Sequence, residues 1–437
     1  MKNNSKRLIF RAVAFALTLI MIILSVCSCA AAVKDPVLEY EGHAISLSAY
    51  EFMLSRMRGT LARNKYDVTP TGEFWGEKHP GSDMTNEEYY NDSILKNCKN
   101  YLAALVLFDE EKLELSTEKL REIDEEIEFY IDYDCAGSQD KLNTLLSKYG
   151  TDVEGLRDIY EMEAKYQAVI TSLYGLDASQ IADSVKEEYY QNNYYRFKQI
   201  LVSNFYYEYE TDEKGNVIYF DTSTGTPVYD AEKGEYKYDD KGDRITDKYG
   251  VGIRYDSEGN IVYDTEKGYP APKTDEKGNA IKYEYSKEEM DERVGRMNSF
   301  IASTEGDASA FEAEMSSWQL YEGATEYYPD GYYLSDIESS GYSEYMVSIL
   351  EKLKTMETGE ITVVESESGY HVIMKYDLDK GKYADKDYAE WFTSFNQSLI
   401  DRLFLDRCAS FYSSITVNEK NLKKARSIKS LGTNFDY

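Results

Sequence analysis

Residues 205–285 hold thirteen tyrosines among repeated Asp and Gly, and they rule out a continuous helical architecture for this chain. Asp212-Glu213-Lys214-Gly215-Asn216 recurs as Asp275-Glu276-Lys277-Gly278-Asn279, and Tyr229-Asp230-Ala231-Glu232-Lys233-Gly234 recurs as Tyr263-Asp264-Thr265-Glu266-Lys267-Gly268. Asp and Gly at such spacing favour tight turns, because glycine tolerates positive φ and the Asp carboxylate can satisfy nearby backbone amides. Flanking Val, Ile and Tyr suit short strands. The expectation is a string of small hairpins inserted into a larger domain.

On either side the pattern is different. Val37 to Tyr40 reads as a strand leading into a Glu41-Gly42 turn. Ser46 and Ser48 are candidate helix caps, and Ser48 with Glu51 fits a capping box. Residues 59–90 look irregular. Leu95, Cys98, Leu102, Leu105 and Val106 recur at helical spacing, a further helix starts at Ser116 or Thr117, and Thr151 with Glu154 suggests another capping box before a stripe from Leu156 to Leu173. At Arg196 the character turns to β: Phe197-Lys198-Gln199-Ile200-Leu201-Val202. After the insertion, Ser286 with Glu289 caps a helix, Tyr345–Met356 is amphipathic, and Gly359-Glu360-Ile361 and Gly369–Met374 read as strands. A final helix carries Tyr388, Trp391, Phe392, Phe395, Leu399 and Leu403, followed by a basic, weakly patterned tail from Lys420. The fold class expected is α+β.

The N-terminus points to export. Lys2, Lys6, Arg7 and Arg11 precede an apolar run from Ala12 to Leu24 broken by Thr18, then Ser25-Val26-Cys27-Ser28-Cys29. This is the pattern of a secretory signal. Thirteen residues of helix cover about 20 Å, short of a hydrocarbon core of about 30 Å. The cysteine resembles the acceptor of a bacterial lipobox, with Cys29 after small Ser28 favoured over Cys27. An uncleaved anchor helix is the alternative.

A net charge of −31 argues against nucleic acid or anionic lipid as a partner of the body of the protein. Cys98, Cys135 and Cys408 are widely separated and His43, His79 and His371 are scattered, so no zinc site is expected. Cys98 sits on an apolar helical face and reads as core. The Asp-rich turns lack the alternating ligands and closing Glu of an EF-hand loop, so calcium is not expected either.

Two segments, Phe197–Val202 and Gly359-Glu360-Ile361 through Ser366-Glu367-Ser368-Gly369-Tyr370-His371-Val372-Ile373, together resemble the parvulin (rotamase) family of peptidyl-prolyl isomerases. The order of signal, helical region, rotamase-like segments and closing helix resembles the PrsA-type foldase lipoproteins of Gram-positive bacteria, whose N-terminal domain is similar to that of the chaperone SurA. The resemblance implies a signal over 1–29, a helical chaperone domain over 30–195 plus 384–437, and a parvulin-like module over 196–383 carrying the 205–285 insertion. It implies no cofactor, unfolded exported polypeptides as partners, and a membrane contact through the lipid anchor alone, on the outer face of the cytoplasmic membrane.

By position in that family, His371 matches the second histidine and Ser366 and Ser368 match hydroxyl positions. Gln199 stands where the first histidine belongs. Met346, Ile349 and Leu350 are the candidates for gripping a proline ring, and Tyr321 to Tyr333 occupies the stretch where the family carries a Cys or Asp. Plainer readings stand beside these: His371 as a stitch between strands, Ser366 and Ser368 as turn residues, Met346 and Ile349 as core, and His43 and His79 as surface residues. Two further functions compete with a catalytic foldase. One is a holdase chaperone whose module has lost catalysis, and the other a surface-binding lipoprotein that uses the tyrosines of the insertion.

Overall fold

The computed structural model describes residues 33–304, 306–318 and 329–437. The signal with Cys29, and Tyr321, lie outside the described residues. The fold is α+β. The chain divides into two units, residues up to Ile181 with Gln397–Tyr437, and Ala182–Asn396.

The first unit opens with β1 (Pro36–Tyr40) and β2 (His43–Ser46), joined through Glu41 and Gly42 at positive φ. A strand at Thr416–Val417 pairs with the other edge of β1. Five helices follow: α1 (Leu47–Arg63), α2 (Asn86–Glu110), α3 (Thr117–Tyr133), α4 (Gln139–Leu146) and α5 (Val153–Tyr174). Their apolar stripes meet in a core that includes Phe52, Leu102, Leu142 and Leu156.

Several helix starts differ from expectation by a few residues. The cap of α1 is Ser46, whose side chain accepts from the Ala49 amide. Glu51 is instead buried and receives the Arg426 amide (2.7 Å) and Nε (2.8 Å), an ion pair that neutralises a carboxylate otherwise costly to bury. The cap of α5 is Asp152, which accepts from Gly155, while Thr151 is turned to Ser48. Within 59–90, α1 runs on to Arg63, a 3-10 turn at Glu73–Gly76 buries Trp75, and Thr85 with Glu88 forms an unforeseen capping box for α2. The basic tail is ordered: Ile428 and Leu431 are buried. His43 pairs with Asp109, and His79 stacks on Tyr89 at 3.4 Å, half-buried rather than free at the surface. Cys98, Cys135 and Cys408 are unpaired and buried, and burial pushes the Cys98 thiol up to about 12.

The second unit begins with α6 (Asp183–Asn193), which runs directly into β3 (Tyr194–Ser203). β4 (Phe205–Tyr207) starts the insertion, which contains β5 (Tyr219–Phe220), β6 (Glu235–Tyr236), β7 (Arg254–Tyr255) and β8 (Tyr269–Pro270) and closes on β9 (Lys282–Glu284). Then come α7 (Lys287–Thr304), started by the expected Ser286–Glu289 capping box, α8 (Ala308–Met315), β10 (Tyr332–Ser335), α9 (Glu344–Leu353), β11 (Ile361–Ser366) and β12 (Gly369–Tyr376). The stretch read as the start of a closing helix is a 3-10 segment, Lys386–Phe392, ahead of a separate helix, Phe395–Ala409.

Strands β10, β3, β12 and β11 form one antiparallel sheet in that order. Alternation along each strand sends successive side chains to opposite faces. One face joins Phe197, Leu334, Val364 and Ile373 to Ile349, Leu350 and Leu353 of α9. The other joins Ile200, Val202, Val372 and Met374 to Met297 of α7 and Phe311 of α8. Each fully buried aliphatic side chain contributes about 1.5–3 kcal/mol, so the three α9 residues suffice to clamp that helix to the sheet.

In the insertion the ladders are two or three residues long and the turns carry the order. Asp212, Asp239, Asp247, Asp256 and Asp275 each accept backbone amides two and four residues ahead, as in Asp256 from Glu258 (2.9 Å) and Asn260 (2.7 Å). The residue three ahead is glycine at positive φ, +86° at Gly215 and +87° at Gly259. Asp221, Asp230 and Asp264 cap the amides two and three ahead instead. Arg244 and Arg254 lie 3.9 and 4.1 Å from the Tyr236 ring, within cation–π distance.

Candidate functional site

The register of the second unit's sheet determines which candidate residues meet. Ile373 is opposite Gln199 and His371 is opposite Leu201 on one side and Val364 on the other. Gln199 has the parity of Phe197, and His371 that of Ile373, so both project toward α9. Ser366 shares that parity with Val364 at the end of β11. Glu367 and Ser368 turn the chain into Gly369, which stands at φ +127° with the Val202 carbonyl 2.2 Å from where a Cβ would sit. A side chain there would push β12 off β3, so glycine before the histidine is a geometric requirement.

The result is a continuous run of hydrogen bonds. The Ser368 amide donates to Ser366 Oγ (3.1 Å), Ser366 Oγ lies 2.9 Å from His371 Nε2, and His371 Nδ1 lies 3.0 Å from Gln199 Oε1. His371 is 5% exposed, and burial pulls its pKa below the ordinary 6.5, so the ring is neutral at pH 7. A neutral imidazole has one N–H and one lone pair. With Gln199 accepting from Nδ1–H, Nε2 accepts from the Ser366 hydroxyl, and the Gln199 amide N–H groups become the last donors of the run. Tyr345, at the start of α9, stacks on the imidazole with centroids 4.6 Å apart and planes 11° off parallel, which fixes the ring orientation.

Gln199, His371 and Ser366 are thus brought together, and Ser368 joins through its backbone N–H. The apolar candidates separate. Met346 is half-buried beside Tyr345. Ile349 is 0% exposed and Leu350 1%, both enclosed by Phe197, Leu334, Leu353 and Ile373. They hold α9 down and present no surface to a ligand. Reasoning from sequence missed Tyr345, although it sits one helical turn before Ile349, the spacing that puts two side chains on one face. Half-buried Leu201, across the sheet from His371, was also passed over.

The cluster offers no charged nucleophile and no acid–base pair. It offers a satisfied, neutral polar run beside an aromatic and a thioether side chain. Among the described residues, no group of three or more His, Cys, Asp or Glu is placed to hold a metal ion.

No family model matches this chain, and no curated protein matches it. Among solved structures it is similar to PrsA from Bacillus subtilis, at 14% identity over 80% of this chain and 91% of that one, with a TM-score of 0.17. It is similar to a peptidylprolyl isomerase (PrsA) from Bacillus cereus, at 12% identity over 80% and 95%, TM-score 0.24. It is similar also to the foldase protein PrsA from Streptococcus pneumoniae, at 10% identity over 79% and 96%, TM-score 0.18. At scores this small, the chemistry of the site rests on the chain's own residues.

Proposed function

We propose that this chain is an extracytoplasmic foldase, tethered by lipid at Cys29 to the outer face of a Gram-positive cytoplasmic membrane, whose second unit binds and isomerises X–Pro bonds of exported, unfolded polypeptides. The observation that carries this reading is the run Gln199–His371–Ser366 on adjacent strands, roofed by Tyr345 with Met346 beside it. Among the described residues no helix is long and apolar enough to cross a membrane.

The chemistry demanded is modest. Rotation about an X–Pro bond meets a barrier of about 18–20 kcal/mol, because twisting removes amide resonance. Uncatalysed it takes tens to hundreds of seconds. A site lowers the barrier by holding the twisted form better than the planar one. Met346, Tyr345 and Leu201 supply apolar contact for the pyrrolidine ring. The Gln199 amide N–H groups are the donors available to the amide as its carbonyl swings out of plane, because the proton of the Ser366 hydroxyl is given to His371 Nε2. His371, neutral and stacked, holds both in position and keeps the polar run from collapsing onto the ring.

A second reading has its own support. Both ring nitrogens of His371 are satisfied, by Ser366 and Gln199, and Gln199 cannot cycle a proton as an imidazole does. This suits a holdase that keeps the peptide-binding surface without the rate enhancement.

Refolding of a proline-limited protein and a protease-coupled peptide assay separate the two. The catalytic reading expects acceleration by the native chain, loss of it in Gln199→Leu and His371→Ala, and a faster rate in Gln199→His. A native rate equal to buffer in both assays, with client aggregation still suppressed, overturns catalysis and leaves the holdase.

A further inference from the structure

In the first unit, far along the sequence from Gln199 and His371, aromatic rings are left at the surface. The last turns of α3 carry Phe129, 57% exposed, and Tyr133, 79% exposed. One turn apart, they stack face to face at 5.2 Å and 10°. On that helix Ile123 and Ile127 face the core, so the stacked pair belongs to its outward side. Beside it, Tyr437 is held from three directions. Its hydroxyl donates to Asp134 Oδ2 (2.6 Å), its amide donates to Asn434 Oδ1 (3.0 Å), and its backbone oxygen accepts from Arg56 Nε (2.8 Å). Tyr130 meets the Tyr437 ring edge-on at 4.7 Å and 68°, and Tyr149 flanks it at 5.9 Å.

These residues surround an open hollow of about 440 Å³. Of its eight lining residues, five are aromatic, one is Leu145, two are the carboxylates Asp134 and Asp436, and none is basic. That composition selects its guest. Aromatic faces carry negative quadrupole and attract cations, while an anion would meet two carboxylates. A neutral aromatic guest would strip water from those carboxylates without compensation. A guanidinium stacks flat on rings and forks onto a carboxylate, which an ammonium does not. Asp134 gives one oxygen to Tyr437 and keeps acceptor capacity on the other. The hollow exceeds a lone guanidinium in size, and Phe129, Tyr133 and Leu145 supply apolar wall for an alkyl stem and a neighbouring residue.

We propose that this hollow is a recognition site for arginine side chains on extended polypeptides. It rests on different residues from the prolyl site and stands whether or not that site is catalytic.

The test is isothermal titration of the protein with short, unstructured, proline-free peptides carrying one central residue between apolar neighbours. The Arg peptide is expected to bind, and its citrulline counterpart, equal in shape but uncharged, to bind roughly tenfold more weakly or worse. Tyr133→Ala and Asp436→Asn, both at exposed positions and checked for unchanged circular dichroism, should each weaken the Arg peptide several-fold. Equal affinity for Arg and citrulline peptides, undiminished affinity in Tyr133→Ala, or absence of binding to any of them overturns the proposal. Choline binding as tightly as the Arg peptide overturns the assignment to a polypeptide side chain.

Discussion

Within the second unit, the β10-β3-β12-β11 sheet and the 205–285 insertion are both antiparallel β structure, stabilised by different means. In the sheet, Phe197, Ile200, Val202, Val372, Ile373 and Met374 are each at most 2% exposed, and two helix-covered cores grip it from either side. Of the Val, Ile, Phe and Tyr side chains in the insertion, Phe205 at its root alone is buried, while Asp230 and Asp264 are buried as well. The sheet is ordered by apolar burial between distant segments. The turns of the insertion are ordered locally, by carboxylates closing on amides a few residues ahead, and short nested ladders such as Tyr219–Pro270 and Glu235–Tyr255 tie them together with little apolar burial. Burial yields a surface stiff enough to position a histidine, and capping with short ladders yields an appendage held by turns and hydrogen bonds instead of a core.

The largest expected effect tests that contrast directly. Ile373→Ala should cost about 2–5 kcal/mol in denaturant unfolding. Val262→Ala, at a half-buried insertion position, should cost under about 1 kcal/mol. Equal costs would break the distinction. Next, Gly369→Ala should cost about 1–3 kcal/mol for its backbone conformation alone, with further loss from the clash with the Val202 carbonyl. Amide exchange along β3 and β12 would report it, and unchanged protection would show that the strands can part without consequence. Smaller still, Asp212→Ala should lower exchange protection of the Asn216 amide by up to roughly an order of magnitude, with Asp212→Asn closer to native and the sheet amides unmoved.

The finest test is acid. Asp275 and Asp256 have carboxyls held below the usual range chiefly by the backbone amides of Asn279 and Asn260, and Asp230 by Lys233 and neighbouring amides. For Asp264, burial pushes upward but the Lys267 ammonium and turn amides outweigh it. Depressed acids stabilise the fold above their unfolded pKa of about 4 and lose that contribution as pH falls through the lower folded value. His371 behaves differently. Its folded pKa lies below 6.5, so the unfolded chain takes up the proton first. The sheet should therefore weaken as pH drops below about 6.5 while the turns hold until about 4. Amide exchange at pH 5 and 7 would check this, and parallel loosening of both regions would remove the difference.

Much of the architecture could be read in advance because periodicity survives packing. The stripe from Leu156 and the strands around Gln199 and His371 appear where alternation puts them. Boundaries slipped where two capping residues competed: Ser46 prevailed over Ser48 because Arg426, hundreds of residues later, claims Glu51. The hairpin repeats were visible as two near-identical pairs, but their extent was not, since Asp239, Asp247 and Asp221 build the same kinds of turn from different neighbours. At the candidate site, polar partners could be named from their order along two strands. The apolar ones were harder to name, because an amphipathic pattern gives the inward face of α9 but not which of its residues stands over the polar run: Ile349 and Leu350 pack into the core, and Tyr345, one turn before Ile349, lies over the histidine.

The way the insertion is attached bears on how quickly the sheet can assemble. Gln199 and His371 are 172 residues apart along the chain, and joining such distant strands means surrendering the freedom of everything between them. Phe205 pairs with Glu284, and the Asn204 carbonyl receives the Tyr285 amide, so once the hairpins have formed, some eighty residues of detour shrink to a single step. The Asp-capped turns can close from near neighbours, while Glu235–Tyr255, Tyr219–Pro270 and Phe205–Glu284 join in nested order across the insertion, and once they have met, the search that remains for β3 and β12 is that of a much shorter polymer.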